Sequence, residues 1–413
     1  MLKLNNCIIS LNIVVEMDGF FKVIQDDYLI KLDDPEIQEL KRAVDVLMLR
    51  FTGALQDSYP GFNIVDVVAC GSMEEGTRVR ETDETKAYLE FDYLAVLKSF
   101  PDSYQLRFRI SLSGCMEILR GTQFPYDPCC PKVMDFLNCV RNTFRENCTE
   151  VATANCLKHF CAKYKYNGLN VEYQYLSKNE RPYGCGLCTV HIKNGYVIGN
   201  LRNTGKLNLL WVCNEIETNF STKNIDVDFH PVILVNPGSI LPPYGHPNYI
   251  IDSNLQYYLF PGKLSKSYPG YWSVSVYRGE VQILQSTPEI HRAAYVVVKY
   301  LITKNFLSEN FLIKEFTFHC NMVDTYEVKT AVLHHIKSCD GRNKSLLGCI
   351  ADILDRFTSA YINGKLQHYF LRYNLLSNTD SAICVQTGHI MQILRDMLTL
   401  SPQKHIHIMP RNK

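Results

Sequence analysis

Apolar residues recur at helical spacing in the first part of the chain. Intervals of three or four residues separate the apolar positions Ile37, Leu40, Val44, Leu47, Phe51 and Leu55. This spacing places them on one face of an α-helix. Asp34, Pro35 and Glu36 precede the pattern and are typical of a helix N-terminus, whereas Tyr59-Pro60-Gly61 ends it. The pattern therefore predicts one long amphipathic helix between Asp34 and Tyr59.

Three segments have the composition of β-strands. An apolar run from Ile64 to Ala69 leads into the turn Gly71-Ser72, and β-branched and aromatic residues fill Leu89–Leu97. The third segment is Ile225–Val235. Between about residues 100 and 224 the pattern mixes short strands and helices without a clear period.

Helix start signals recur in the C-terminal part of the chain. They are Thr287-Pro288-Glu289 and the capping-box spacing of Asp324-Thr325-Tyr326-Glu327. The predicted helices cover about residues 288–300, 324–335 and 345–363. Strands that precede a helical region predict an α+β protein.

Acidic residues alternate along two of the predicted strands. Glu90 and Asp92 lie two positions apart, and so do Asp226 and Asp228. Side chains at positions i and i+2 of a strand point to the same face. Adjacent carboxylates repel each other unless a cation lies between them, and Mg²⁺ prefers oxygen ligands. The pattern is compatible with an ordinary exposed strand face, but it also predicts a divalent-cation site, with Asp226 and Asp228 as alternatives for a third ligand.

Composition restricts the class of protein. A chain of 413 residues that is 46% hydrophobic can form more than one lobe, and a net charge of +1 provides no overall field for nucleic acid. Many of the 16 cysteines lie in apolar runs, which indicates reduced thiols. No apolar run is long enough to cross a bilayer. We therefore expect a cytoplasmic protein without a membrane partner.

The order of these motifs resembles a known family. A strand, a Gly-Ser turn and an acid-x-acid strand is the layout of polymerase-β-like nucleotidyltransferases, and Glu90-Phe91-Asp92 narrows the resemblance to the cyclic GMP-AMP synthase-like receptors and Mab-twenty-one-type proteins. Thr325–Thr330 is similar to the family's Ser-Tyr-x-Val-Lys-Thr helix start, and Lys365–Phe370 to its closing motif. The resemblance extends over about residues 35–380.

The resemblance implies a two-lobed α+β nucleotidyltransferase. A polymerase-β-like mixed sheet with a spine helix would occupy residues 34–280, after an N-terminal extension at 1–33. A helical C-lobe would occupy residues 281–400, before a basic tail at 401–413.

The resemblance also implies site residues and a cofactor. Glu90, Asp92 and Asp228 would be the catalytic residues and would bind Mg²⁺ or Mn²⁺, and Asp226 is the alternative third ligand. The implied nucleotide-binding residues are Ser72, Lys299, Thr325, Tyr326, Lys329 and Ser275. For Tyr326 the alternative is an aromatic side chain that covers a helix end, and for Lys299 a solvated helix face.

The implied activity is the joining of two nucleoside triphosphates, ATP and/or GTP, into a cyclic dinucleotide second messenger. The family's role implies an innate immune sensor that double-stranded nucleic acid activates and that forms a homodimer on its ligand. A catalytically silent Mab-twenty-one-type scaffold and a synthase of linear oligonucleotides are the alternatives.

Departures from the family pattern affect the expected ligand. The zinc ribbon that engages DNA is missing between Leu284 and the Lys299 helix, which favours double-stranded RNA. Trp272-Ser273 replaces the family's tryptophan and basic residue, and the segment between Ser72 and Glu90 is long and acidic, with Glu81, Asp83 and Glu84.

Two further groups of residues are weaker candidates. Cys185, Cys188 and His191 have the residue types of a zinc site but no evident fourth ligand. The candidate basic groove for RNA comprises Lys41, Arg42, Arg50, Arg141, Arg145, Lys158, Lys163 and Lys165, and the tail residues Lys404, His405, His407, Arg411 and Lys413 are also basic.

Overall fold

The structure is a computed structural model. It describes residues 19, 21–58, 64–79, 88–97, 107–110, 115–119, 163–166, 169–172, 189–193, 195–200, 207–214, 220–243, 245–246, 249–260, 271–303, 323–342, 344–377 and 379–400. Several predicted features lie outside the described residues: the loop acids Glu81, Asp83 and Glu84, the pair Cys185 and Cys188, the basic residues Arg141, Arg145 and Lys158, and the tail 401–413.

The described helices confirm the helical pattern of the sequence. They are α1 (Pro35–Ser58), α2 (Gly71–Glu74), α3 (Tyr277–Ser286), α4 (Glu289–Thr303), α5 (Thr325–Ser338), α6 (Leu346–Ile362) and α7 (Ser381–Leu400). At the start of α1, the backbone N–H of Glu36 donates to the Asp34 carboxylate at 2.9 Å. The capping box of α5 is present, since Tyr326 N–H donates to Asp324 and Asp324 N–H donates to Glu327.

The described strands, β1 to β13, lie between residues 64 and 275. They are β1 (Ile64–Cys70), β2 (Leu89–Leu97), β3 (Arg107–Ile110), β4 (Cys115–Leu119), β5 (Lys163–Tyr166), β6 (Leu169–Glu172), β7 (Thr189–Ile192), β8 (Gly195–Asn200), β9 (Leu207–Asn214), β10 (Phe220–Val235), β11 (Ile240–Leu241), β12 (Tyr257–Phe260) and β13 (Tyr271–Ser275). With the helices they form an α+β protein that has a mixed sheet.

The long strand β10 connects the parts of the sheet. Its first half pairs antiparallel with β9, its middle pairs parallel with β2, and its end pairs antiparallel with β12. β1 pairs antiparallel with β2. β10 extends five residues before the predicted start at Ile225, and β9 supplies the partner for that extension.

Two large hydrophobic clusters make up most of the described core. The first contains α1, the sheet residues and Val276, and the second contains Leu284 and the buried faces of α4 to α7. Phe21 and Ile24 belong to the second cluster, whereas Ile30 belongs to the first. The segment before α1 therefore contacts both clusters.

None of the described helices is both long and apolar enough to cross a membrane.

Candidate active site

Four carboxylates lie on one face of the sheet where β2 and β10 run in parallel. Asp226 is the register partner of Glu90, and Asp228 is the register partner of Asp92. Paired positions of neighbouring strands share a face, and so do positions i and i+2 of one strand. The structure therefore brings the predicted ligands Glu90, Asp92 and Asp228 to one face, and it places Asp226 there as well.

The opposite face of β2 packs against the long helix α1. Leu89, Phe91 and Tyr93 alternate with the two acids and are buried in the first cluster. The Tyr93 hydroxyl donates a 2.6 Å hydrogen bond to Asp45 of α1. Because side chains alternate along a strand, burial of these three residues fixes Glu90 and Asp92 on the opposite face.

Gly71 lies so close to the Asp92 carboxylate that a side chain does not fit. Cys70, at the end of β1, is the register partner of Asp92. Gly71 follows with φ of +73°, and a Cβ atom there would lie 1.8 Å from Oδ2 of Asp92. Both the backbone conformation and the close approach require glycine. The Gly-Ser turn and the predicted metal ligand are therefore one geometric unit.

The Asp92 carboxyl group is surrounded by negative charge. Burial, followed by the charges of Glu90 and Asp228, raises the pKa of Asp92 to about 7. A carboxyl group that is buried among like charges is stabilised by a proton or by a cation. The electrostatics of Asp92 are therefore those expected of a metal ligand.

Arg78 supplies positive charge to this face. Its guanidinium donates to the Glu90 carboxylate at 2.5 Å, and the Arg78 side chain is only 14% exposed. Arg78 also lowers the pKa of Asp92, in opposition to the larger effect of burial. The sequence analysis missed this residue, although it lies six positions after Ser72.

The predicted carboxylate ligands do not form a compact cage. Among the described residues, the group whose ligand atoms all lie within 4.8 Å of one another consists of histidines and cysteines in the helical region, and Glu90, Asp92 and Asp228 are not in it. A two-metal site has ions roughly 3.5–4 Å apart, so its carboxylates spread around both ions.

Lys329 connects the helical region to the turn after β1. Its ammonium group donates to Glu75 at 2.5 Å and to Glu280 at 3.1 Å. The side chains of Glu75 and Glu280 are 1% and 3% exposed, and Lys329 is 13% exposed. Although burial lowers the pKa of Lys329, the two carboxylates outweigh it and raise the pKa well above the usual value. Lys329 is therefore a fixed positive charge in the described structure.

Tyr326 has a hydroxyl group that is already engaged. It donates to Glu280 at 2.6 Å, and it lies 2.7 Å from Nε2 of His368. Lys329 lies 5.4 Å from the centre of the Tyr326 ring. These contacts support the alternative in which Tyr326 covers the start of α5, and they leave stacking of its ring on a base as a prediction.

Lys299 is buried, so it does not lie on a solvated helix face. Its ammonium group donates to the backbone carbonyl of Thr77 at 3.3 Å, and the residue is 8% exposed. Burial is the main reason that its pKa falls to about 8, and the positive charges of Arg78 and Lys329 lower it further. Lys299 therefore joins α4 to the loop that also carries Arg78.

The remaining predicted nucleotide-binding residues have different environments. Ser72 is half-buried in α2, where its carbonyl accepts from Thr77 N–H at 2.9 Å. Ser275 accepts from the Tyr277 N–H at 3.3 Å, and its strand β13 is separated from β10 by β12. Thr325 is exposed at the first position of α5. Ser275 thus has a local structural role at the start of α3.

Lys329, Glu75 and Glu280 form what we call the junction between the helical region and the turn after β1. Sequence reasoning missed its two buried carboxylates. Glu75 lies three residues after Ser72 of the Gly-Ser turn, but nothing local indicates that its partner is Lys329 in α5. Glu280 lies in α3, a helix that the sequence analysis did not predict. His368 lies in the closing motif, where it contacts Tyr326 and its Nδ1 accepts hydrogen bonds from the backbone N–H groups of Phe370 and Leu371.

The candidate basic groove is described only in part. Lys41 of α1 forms an ion pair with Glu74 at 2.9 Å. The carboxylate of Glu74 partly neutralises this lysine, which weakens its attraction for a phosphate. The side chains of Lys163 and Lys165 lie outside the described residues. RNA binding therefore stays a prediction from the sequence.

No protein-family model matches this chain, and no curated protein is significantly similar to it in sequence.

Proposed function

We propose that this chain is a metal-dependent nucleotidyltransferase of the cyclic GMP-AMP synthase-like receptor type. It joins two nucleoside triphosphates, ATP and/or GTP, into a cyclic dinucleotide. The observation that carries this proposal is the shared sheet face of Glu90, Asp92 and Asp228. Position 71, next to Asp92, has room only for glycine. This combination supports a phosphoryl-transfer site more specifically than an acid-x-acid strand does.

The carboxylates would hold two Mg²⁺ or Mn²⁺ ions. When bound, these ions activate the attacking ribose hydroxyl and neutralise the pyrophosphate that leaves. In each transfer a ribose oxygen forms a bond to an α-phosphorus, the bond to the β-phosphate bridging oxygen breaks, and the hydroxyl proton is released. A second transfer at the same residues then closes the ring.

Residues around the acidic face would orient the triphosphates. The Gly71-Ser72 turn provides backbone N–H groups and a hydroxyl, and Lys299 provides a buried positive charge nearby. Lys329 contributes indirectly because it holds Glu75 and Glu280. Thr325 and the ring of Tyr326 are proposed to contact the second nucleotide.

The proposed trigger is double-stranded RNA in the cytoplasm. RNA duplexes are recognised through their shape and phosphates, which requires only a modest basic surface. The proposed active assembly is a homodimer on that ligand.

A synthesis assay tests the proposal. Purified full-length protein is incubated with radiolabelled ATP, GTP, CTP and UTP and with Mg²⁺ or Mn²⁺, and double-stranded RNA, double-stranded DNA or buffer is added. The expected result is a phosphatase-resistant product that requires metal. Asp92→Asn and Asp228→Asn should abolish the product.

Asp226→Asn is the matched control because Asp226 lies two residues before Asp228 on β10, shares its face and is the register partner of Glu90. It should retain activity if Asp228 is the third ligand, whereas the reverse result would assign that role to Asp226. A linear, phosphatase-sensitive product would identify a synthase of linear oligonucleotides.

One observation favours the silent scaffold as the second candidate. Glu90 is in an ion pair with Arg78, which an enzyme would have to rearrange before Glu90 could bind a metal. If the folded protein forms no product and does not bind a nucleoside triphosphate in the presence of metal, the scaffold hypothesis is correct. If triphosphate binds but does not react, the required trigger differs from those supplied.

A further inference from the structure

Two histidines and two cysteines meet inside the helical region. The ligand atoms of His291, His335, Cys339 and Cys349 all lie within 4.8 Å of one another. His291, His335 and Cys349 are buried, and Cys339 is half-buried. Both cysteines are free thiols in the structure. Two nitrogens and two sulfurs form a donor set of the kind that binds tetrahedral Zn²⁺.

Three of the four imidazole nitrogens of this cluster lack a hydrogen-bond partner. Nε2 of His291 and both ring nitrogens of His335 are buried and make no hydrogen bond. Buried polar atoms in native proteins are normally satisfied, so three such atoms in one place need an explanation. A metal ion that accepts the lone pair of Nε2 in each ring would account for two of them.

The surroundings of the histidines select the same nitrogen in each ring. Nδ1 of His291 lies 3.5 Å from the Thr287 hydroxyl, and Nδ1 of His335 lies 3.7 Å from the Asp352 carboxylate. Metal-bound histidines commonly direct the other ring nitrogen to a hydroxyl or carboxylate, which fixes the tautomer. Nε2 is therefore the ligand atom that we assign to both rings.

The helices bring the four residues together from distant parts of the sequence. His291 lies in the first turn of α4, His335 lies in the last turn of α5, and Cys339 caps that helix. Cys349 lies in the first turn of α6, one helical turn after its N-cap Ser345. The spacing of His335 and Cys339 is i, i+4, which places both side chains on one side of the helix end.

Gly341 allows this close packing. It has φ of +72°, and a Cβ atom there would lie 3.3 Å from Cε1 and 3.4 Å from Nε2 of His291. A larger residue would press on the ring edge that carries the assigned ligand atom. The turn after α5 therefore leaves room at the cluster.

We propose that His291, His335, Cys339 and Cys349 form a structural Zn²⁺ site that ties together helices α4, α5 and α6. Tetrahedral coordination with Zn–S near 2.3 Å and Zn–N near 2.0–2.1 Å separates ligand atoms by roughly 3.3–3.8 Å, so no ligand pair of the cluster has to contract by more than about 1.5 Å. The ion would displace a proton from each thiol as it binds, because cysteine ligands are thiolates.

The proposed site differs from the family's zinc ribbon, which the sequence lacks between Leu284 and the Lys299 helix. Three of its four ligands follow the Lys299 helix in the sequence, and they join existing helices of the lobe. α4 carries Lys299 and α5 carries Lys329, so the ion would hold the helices that contact the loop after β1. Its proposed role is to hold these helices together, independently of any catalytic activity.

Metal analysis of the full-length protein tests this proposal. The protein is produced in medium that contains zinc, purified without chelator and measured by mass spectrometry of its metals. We expect about one Zn²⁺ per chain in the wild type, and loss of it in Cys339→Ser and Cys349→Ser. Cys384→Ser is the matched control, since Cys384 is also a buried free cysteine of the helical region but lies outside the cluster.

A second measurement does not depend on variants that fold. Wild-type protein produced with Co²⁺ in place of Zn²⁺ should show the thiolate charge-transfer and strong d–d absorption of a tetrahedral sulfur-nitrogen site. Metal-free wild type, or zinc that both cysteine substitutions retain, would overturn the proposal. A Cys339–Cys349 disulfide found by peptide mapping without reductant would also overturn it.

Discussion

Two regions of this protein contain buried carboxylates, and the two regions differ in the charges that lie next to them. At the junction, Glu75 and Glu280 lie against the ammonium group of Lys329, and each side chain is almost fully buried. On the sheet face, Asp92 lies against Glu90 and Asp228, and the arrangement raises its pKa to about 7. In the first region both carboxylates pair with Lys329, whereas on the sheet face Arg78 pairs with Glu90 and the pKa of Asp92 is still raised by burial and by its acidic neighbours.

We expect this difference to separate a structural role from a binding role. A buried ion pair with satisfied partners holds two elements in one relative position. A buried carboxyl group among like charges is stabilised further by a proton or by a cation, which favours the binding of a cationic ligand. We therefore expect substitutions at the junction to change mainly stability, and substitutions on the sheet face to change mainly ligand binding.

The largest effect is expected at Lys329. Lys329→Met leaves Glu75 and Glu280 buried without their cation, and removal of one partner from such a pair costs about 3–5 kcal/mol. Urea denaturation should show this loss in the free energy of unfolding. The triple variant with Glu75→Gln and Glu280→Gln should recover much of it.

Lys31→Met is the matched control because Lys31 and Asp26 form an exposed ion pair at 3.2 Å. Its expected cost is below about 1 kcal/mol. Equal losses for Lys31→Met and Lys329→Met would contradict the distinction between the two regions.

Gly71→Ala should affect stability less and ligand binding more. The new Cβ atom collides with the Asp92 carboxylate, and the positive φ adds about 1–3 kcal/mol of strain. Displacement of Asp92 should abolish metal-dependent triphosphate binding. Gly364→Ala isolates the backbone effect, since Gly364 also has a positive φ but no atom near the added Cβ; it should be destabilised while binding persists.

Asp92→Asn should change the pH dependence of stability. The folded pKa of Asp92 is about 7, above its usual 3.8, so the unfolded chain binds fewer protons between pH 4 and 7. Metal-free wild type therefore loses stability as the pH rises through this range, and Asp92→Asn lacks that loss. Denaturation curves at several pH values should diverge in favour of the variant. Parallel curves would refute this interpretation.

Divalent metal provides the complementary measurement. Mg²⁺ or Mn²⁺ should raise the melting temperature of the wild type at pH 7.5, because a ligand that binds only the folded state stabilises it. Asp92→Asn should not respond, whereas Asp226→Asn should respond if Asp228 is the third ligand.

The smallest expected effect is at Lys299. Its pKa is near 8, so the free protein loses this positive charge above that pH. The affinity for a non-hydrolysable triphosphate in Mg²⁺ should fall by up to about tenfold between pH 7.5 and 9. Lys299→Arg retains its charge throughout this range, so its affinity should stay nearly constant over the same pH values. Identical pH profiles for both proteins would contradict a direct contact.

The sequence predicted those elements that have strong local signals. Helix α1 begins after Asp34 and ends before Tyr59-Pro60 as expected, and the capped helices α4, α5 and α6 lie where their start signals indicated. Helices α2, α3 and α7 were not predicted. α3 begins at Tyr277 after the N-cap Val276, whose side chain cannot cap a helix, so the N-cap position carries no signal.

Only those parts of the candidate site that depend on strand alternation or on a local motif could be predicted from the sequence. Alternation placed Glu90 and Asp92 on one face, but the parallel register that brings Asp228 beside Asp92 depends on contacts between distant strands. Likewise, the pairing of Lys329 with Glu75 and the His/Cys cluster depend on tertiary packing. No period or spacing in the sequence contains that information.

The pairing of β2 with β10 also constrains how the protein folds. Residues 98–219 separate the two strands, so their alignment requires closure of a long loop before it gains any contact energy. Such non-local pairing is slow, and the N-terminal part of a protein is synthesised and folds first. A chain that is released from the ribosome before β10 is complete lacks Asp226 and Asp228, which are half of the four carboxylates on the sheet face. If the proposed function is correct, truncated translation products of this kind are inactive.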